Sequence, residues 1–241
     1  MQKVENMHDW ISELPDTVAA EVLQHCSRRT LLDRESLFHP GDRADACYRL
    51  MSGRLIVCNF NSAGQELLHA HLMPGDCIGE WSLIAEQPRM NHTYANGDSE
   101  VLVLHKDRFD ELYMRYPDMV RALNKVMARR LRLTFMMVED AALLPLCQRL
   151  ARTIVRLAHS VGKEEIDGRT VIEAMSQDEL SRMVGSTRQS VGRELKKLKE
   201  DGDVEISYGK LIIRDIAALS EKYDKLIAVE PVVAGYGNRD E

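Results

Sequence analysis

From Leu37 to Phe109 the apolar residues come in short runs, and glycine turns separate them: Pro40-Gly41-Asp42, Met51-Ser52-Gly53, Asn61-Ser62-Ala63-Gly64, Pro74-Gly75-Asp76 and Asn96-Gly97-Asp98. Runs such as Leu55–Phe60 and Val101–Leu104 are too short for helices and carry β-branched residues, which suits core strands. Turns at this regular spacing predict a small antiparallel barrel or roll of the jelly-roll kind. Ahead of it, Leu14 to Cys26 has the pattern of a short amphipathic helix.

After Pro117 the period changes. Val120, Leu123, Met127, Leu131, Thr134 and Val138 recur three or four residues apart, and the stretch from Asp118 to Asp140 contains neither Gly nor Pro. That predicts a helix about 33 Å long at 1.5 Å per residue. Its stripe can pack on the roll of its own chain or pair with a second copy of the helix. Pairing with a second copy is the preferred reading for a helix of this length that leads from a roll into a second domain. Arg129, Arg130 and Arg132 read as a solvated face. A further helix is expected over Leu143–Ser160, a polar loop over Val161–Arg169, a strand over Thr170–Ala174 and a loosely held tail over Ala228–Glu241. The chain thus reads as α+β: a sensor roll over residues 1–117, a dimerisation helix over 118–140, a winged helix-turn-helix over 141–222 and a tail over 223–241.

The C-terminal third carries the sharpest local signals. Ser176-Gln177-Asp178-Glu179 has the form of a capping box and starts one helix, with Leu180, Met183 and Val184 as its apolar face. Gly185 supplies the turn, and Ser186-Thr187-Arg188-Gln189 reads as a second box opening another helix that buries Val191, Leu195 and Leu198. Two short helices across a glycine turn make a helix-turn-helix, whose second helix can enter the major groove of double-stranded DNA. Arg188 suits a bidentate contact to guanine and Gln189 one to adenine. Ser186, Thr187, Arg193 and Lys196 are placed to hold phosphates. A hairpin from Val204–Ser207 to Leu211–Arg214, turning at Tyr208-Gly209-Lys210, makes a wing that sets Lys210 against the DNA backbone.

Composition sharpens this picture in three places. The net charge of −6 excludes a protein that coats nucleic acid along its whole surface, yet Leu180–Lys199 holds six basic residues against Glu194 alone. The five cysteines (Cys26, Cys47, Cys58, Cys77 and Cys147) have no spacing that closes a metal site or redox pair, so reduced, mostly buried thiols are expected and no bound metal. No apolar run approaches the roughly 20 residues that span a bilayer, and Met1–Asp9 lacks the order of a signal peptide, so a cytoplasmic protein without a membrane partner is expected. A nucleophile with its base, a phosphate loop and metal-ligand spacing are all missing from the sequence, which argues against an enzyme.

Taken in order, Pro40-Gly41-Asp42, Tyr48, Gly53, Pro74-Gly75-Asp76, Ile78-Gly79-Glu80, Met127–Leu131 and Val184–Arg193 resemble the cyclic AMP receptor protein and fumarate/nitrate reductase regulator family of bacterial transcription factors. The resemblance runs from about Leu14 to about Asp215. It implies a homodimer joined through the long helix along Val120, Leu123, Met127, Leu131, Thr134 and Val138, reading a palindrome, with RNA polymerase as a further partner of an activator.

It also implies an effector pocket in the roll. Gly79 and Glu80 match the family's ribose pair, Arg89 its phosphate arginine and Thr134 its adenine-binding threonine, whereas Met90 and Phe135 stand where serines are expected. The implied ligand is cyclic AMP or another cyclic nucleotide. Left open are an ordinary Glu80–Arg89 ion pair, a regulator active without ligand, and a response to haem or a cyclic dinucleotide. His69, His71 and His92 lie in or near the roll, but histidines so placed are mostly not haem ligands. The family's iron–sulfur branch needs an N-terminal cysteine cluster, which this chain lacks. A binding module without a DNA role would not carry the basic helix.

Overall fold

The computed structural model describes residues 2–4, 7–165, 167–173, 175–207, 209–223 and 232–234. They divide into two compact units, one spanning residues 6–64 and 68–130, the other residues 1–5, 65–67 and 131–241. Strand β1 is Gln2–Val4.

In the first unit a single 3₁₀ turn at Ile11–Glu13 and helix α1 (Asp16–Gln24) precede the roll. Its strands are β2 (Ser27–Leu31), β3 (Ser36–Phe38), β4 (Ala46–Ser52), β5 (Leu55–Phe60), β6 (Glu66–Leu72), β7 (Cys77–Ile78), β8 (His92–Ala95) and β9 (Ser99–His105). They form two four-stranded sheets in the orders β2-β9-β4-β7 and β3-β8-β5-β6, the jelly-roll arrangement expected from the turns. Gly53 shows why one of those turns needs glycine: its φ is 86°, and a Cβ there would lie 2.3 Å from Ser99 Oγ and 2.5 Å from the Asp98 carbonyl.

Leu31, Phe38, Tyr48, Leu50, Leu55, Val57, Val101 and Val103 fill the space between the sheets. The outer face of β9 is covered as well. Leu104 packs there with Trp10, Val22, Phe109 and Leu112, the last two from α3 (Lys106–Arg115). Coverage on both faces explains why Val101–Leu104 is apolar throughout instead of alternating. The roll also contains a short helix that the sequence reading missed, α2 (Glu80–Ile84), because five residues are too few to show a period.

Helix α4 (Pro117–Leu143) exceeds its predicted span at both ends. Met119, Ala122, Leu123 and Val126 are buried in the same core as Phe109 and Leu112. Leu123 therefore does not belong to a seam between chains; it packs on its own roll. Val120 and Met127 are half-buried, while Leu131, Thr134 and Val138 are exposed. The arginine run is not a uniformly solvated face either. Arg129 pairs with Glu13 at 2.7 Å, and Arg130 is buried against Glu80.

The second unit begins within α4 and continues with α5 (Leu146–Val161), β10 (Lys163–Glu164), β11 (Thr170–Ile172), α6 (Gln177–Val184), α7 (Arg188–Glu200), β12 (Val204–Ser207), β13 (Lys210–Ile213) and α8 (Ile216–Tyr223). Buried Asp140 forms an ion pair with Arg152, whose Nε lies 2.8 Å away, and accepts from Arg156 Nη1 at 2.6 Å, tying the end of α4 to α5. The antiparallel sheet β10-β11-β13-β12 includes a two-residue strand inside the expected polar loop. Helix α8, also missed, buries Leu219 and starts where Asp215 Oδ1 accepts from the Ala218 N–H at 2.9 Å.

Within the predicted tail, β14 (Val232–Ala234) pairs in parallel with β1, so those three residues are held in a strand. The other residues of 228–241 lie outside the described ones, as do Ala174 and Tyr208 of the expected strand and wing turn. All five cysteines are free, with Cys47, Cys58 and Cys77 buried. Burial pushes the Cys26 thiol up to about 11 and holds Cys47 and Cys77 well above the usual thiol range, which keeps them protonated and unreactive.

Candidate nucleic-acid interface and effector site

The first capping box forms as the sequence requires: Ser176 Oγ accepts from the Glu179 N–H at 3.1 Å, and Glu179 Oε2 accepts from the Ser176 N–H at 3.0 Å. The second does not. Gly185 ends α6 in the left-handed region (φ 62°), and the next N–H, that of Ser186, donates back to the Ser181 carbonyl at 3.0 Å. The backbone of Ser186 thereby closes α6. Thr187 caps α7 instead, its Oγ1 accepting from the Ser190 N–H at 3.1 Å.

Val191, Leu195 and Leu198 are buried with Leu150 and Ile154 of α5 and with Leu180 and Val184 of α6. That fixes the rotation of α7 and leaves Arg188, Gln189, Arg193 and Lys196 exposed. The side chains of Arg188 and Gln189 bond to no other described residue. Both sit in the first turn, where free backbone N–H groups and the positive end of the helix dipole already favour a phosphate. Arg193 Nη2 lies 3.3 Å from Ser190 Oγ, and Lys196 lies 3.6 Å from Glu200 on the exposed face.

The wing is the β12–β13 hairpin, closed by the pairing of Ser207 with Lys210. Lys210 is not free there. Its Nζ lies 3.3 Å from Glu173, which Lys163 also approaches at 3.3 Å, and the two lysines hold that carboxyl below the usual range. A DNA phosphate reaching Lys210 therefore competes with Glu173.

In the roll, Gly79 has φ 96° and caps the start of α2, with a Cβ there falling 2.7 Å from Arg89 Nη1. The space glycine leaves is taken by the arginine: Nη1 donates to the Gly79 carbonyl at 2.8 Å and Nη2 to the Ala46 carbonyl. The Arg89 guanidinium lies 4.6 Å from the Phe38 ring and 5.6 Å from the Tyr48 ring and is only 3% exposed. Glu80, fully buried, pairs with Arg130, which also donates to the Cys77 carbonyl at 3.1 Å and the Met7 carbonyl at 3.3 Å. The simple Glu80–Arg89 ion pair is thus replaced by two separate sets of contacts.

Arg130 was missed because it lies fifty residues from its partner and inside a charged run. Met90, at 60% exposure, adds no hydroxyl to this group. Thr134 and Phe135 lie beyond the roll unit, on the exposed stretch of α4. Around His92 the rings of His39 and Phe60 stand edge-on at 5.4 and 5.2 Å, and among the described residues no group of His, Cys, Asp or Glu is arranged to hold a metal ion.

A jelly roll with a buried arginine and glutamate, followed in the chain by a long helix and a winged helix-turn-helix, is the plan of a two-domain transcription regulator. Residues 28–116 match the family described as cyclic nucleotide-binding domain, and residues 148–222 match the Crp-like helix-turn-helix domain. The chain is 32% identical over 196 residues to the cAMP-activated global transcriptional regulator CRP of Salmonella typhimurium, an alignment covering 79% of this chain and 90% of that protein. It is 30% identical over 201 residues to the cAMP-activated global transcriptional regulator Vfr of Pseudomonas aeruginosa, covering 80% and 91%. Among solved structures, the c-di-GMP responsive global regulator CLP of Xanthomonas campestris is similar with a TM-score of 0.73 and 25% identity, over 83% of this chain and 99% of that one. The chain belongs to the CRP/FNR family of DNA-binding transcription regulators. Among the described residues no helix is long and apolar enough to cross a membrane.

Proposed function

We propose that the protein acts as a homodimer that reads a palindromic DNA operator through α7, and that a small effector bound in the roll biases its affinity for that operator. The observation that carries the DNA reading is the first turn of α7. There Arg188 and Gln189 stand exposed, with side chains unengaged by the rest of the described chain, on a helix whose rotation is fixed by Val191, Leu195 and Leu198. Ser186, Thr187, Arg193, Lys196 and the wing's Lys210 supply phosphate contacts.

The homodimer rests on Leu131, Phe135 and Val138, spaced four and three residues apart on α4 and 57%, 61% and 57% exposed. Three large apolar side chains on one exposed helical face match the seam of a two-helix contact, with Thr134 beside them and Met127 and Val120 further back along the stripe. RNA polymerase is the partner through which such a dimer acts in the cytoplasm. The effector reading draws on Gly79, Glu80 and Arg89 in the roll and on the cAMP-activated relatives. An anion beside Arg89 and a hydroxyl beside Glu80 describe a cyclic nucleotide.

On a duplex that the protein recovers from random sequence, Arg188→Ala should weaken binding about 10- to 100-fold and relax the base preference at one position in each half-site. Fluorescence anisotropy against this duplex and against bulk duplex at one salt concentration measures both. An equal loss on the two would reduce Arg188 to a phosphate contact.

A further inference from the structure

The roll contains a second kind of polar group that the family pattern does not explain. Thr93 of β8 is fully buried, and its hydroxyl has no hydrogen-bond partner. Across the sheet it stands in register with Phe38 on one side and Val57 on the other. Residues directly opposite each other on neighbouring strands share a face. Phe38 and Val57 both belong to the core between the sheets, so Thr93 faces that interior too.

Valine would fill this position without stranding a polar atom, and a buried hydroxyl with nothing to bond is costly. Two more buried side chains of the roll each leave an atom unpaired. Arg89, whose guanidinium rests over the Phe38 ring, leaves its Nε unpaired after donating to the Gly79 and Ala46 carbonyls. Glu80, adjacent to Gly79, leaves Oε2 unpaired after Oε1 meets Arg130.

We infer that Thr93 is a ligand-recognition residue: its hydroxyl and Arg89 Nε donate to one anionic group of the effector, while Glu80 Oε2 accepts from a hydroxyl of the same molecule. Thr93 thereby supplies the neutral donor that the exposed Met90 lacks. This rests on the effector reading above and specifies how the anion is held. The ligand class is a phosphate or cyclic phosphate ester carrying a free hydroxyl.

The test is isothermal titration of the full-length protein with cyclic AMP and, separately, cyclic GMP, for the wild type, Thr93→Val, Thr93→Ser and Arg89→Ala, with thermal melts of each protein free of ligand. The wild type should bind one nucleotide saturably and Arg89→Ala should lose it. Thr93→Val should bind about tenfold more weakly or worse, the loss of one charge-assisted hydrogen bond, with a ligand-free Tm equal to or above the wild type's. Thr93→Ser should stay close to wild type. Undiminished affinity in Thr93→Val overturns the inference and leaves the effector reading standing. A lower ligand-free Tm in Thr93→Val makes the hydroxyl structural and also overturns it. No binding of either nucleotide by the wild type overturns both, and so does wild-type affinity in Arg89→Ala.

Discussion

Replacing Leu131 and Val138 together by glutamate will give a folded monomer that has lost its hold on a two-half-site duplex. Both residues are more than half exposed, so the roll and the winged helix do not depend on them for their cores. Two carboxylates on each helix, brought face to face in a seam, repel and must shed water. Without the seam each recognition helix binds alone, and the gain of roughly 10²–10⁴ that comes from linking two half-sites disappears. Sedimentation should show the mass halved, and anisotropy should show the matching loss of DNA affinity. Leu123→Ala is the contrasting variant. Leu123 is buried in its own chain, so this change should cost about 2–5 kcal/mol of stability and leave the folded fraction dimeric. If the glutamate variant stays a dimer, another surface joins the chains.

The second large effect lies at Glu80 and Arg130. Removing either partner strands the other's charge in the interior, so Glu80→Leu or Arg130→Met alone should each cost about 3–5 kcal/mol. The two changes combined should cost clearly less than their sum, since two apolar side chains leave no unpaired charge behind. Urea titration of the four proteins measures the coupling. Additive losses would show that the pair, although in contact, does not hold the start of α2 against α4.

How these features could be read from the chain differs by element. Hairpin turns, the Ser176 capping box and the buried side of α7 depend on residues within a few positions of one another, so local pattern finds them. The cap of α7 was misplaced by one residue. Ser186 and Thr187 are both able to cap, and the turn that closes α6, with the Ser186 N–H on the Ser181 carbonyl, starts α7 one residue later, so Thr187 caps it. The stripe on α4 was legible as a period but not as a destination: Leu123 turns to its own roll and Leu131 does not.

The polar group in the roll, the candidate effector site, was the least legible. Its members come from β4, α2, the loop that carries Arg89, β8 and α4, and the Glu80–Arg130 pair is separated by fifty residues. Resemblance pointed to Gly79, Glu80 and Arg89, but neither pattern nor resemblance pointed to Arg130 or Thr93. An arginine within Arg129-Arg130-Leu131-Arg132 looks solvated, and a threonine in a strand looks like ordinary β-propensity.

Dimeric reading of DNA through α7 is tested by selecting duplexes from a random-sequence pool with the purified full-length protein, with and without cyclic AMP, and sequencing them. A dimer reading DNA through α7 should enrich a palindrome whose half-site centres lie about one helical turn, 10–10.5 base pairs, apart. Enrichment should vanish in an Arg188→Ala, Gln189→Ala double variant. Recovery of no common sequence, or of a single unpaired half-site by a protein that sediments as a monomer, would contradict dimeric reading of DNA through α7.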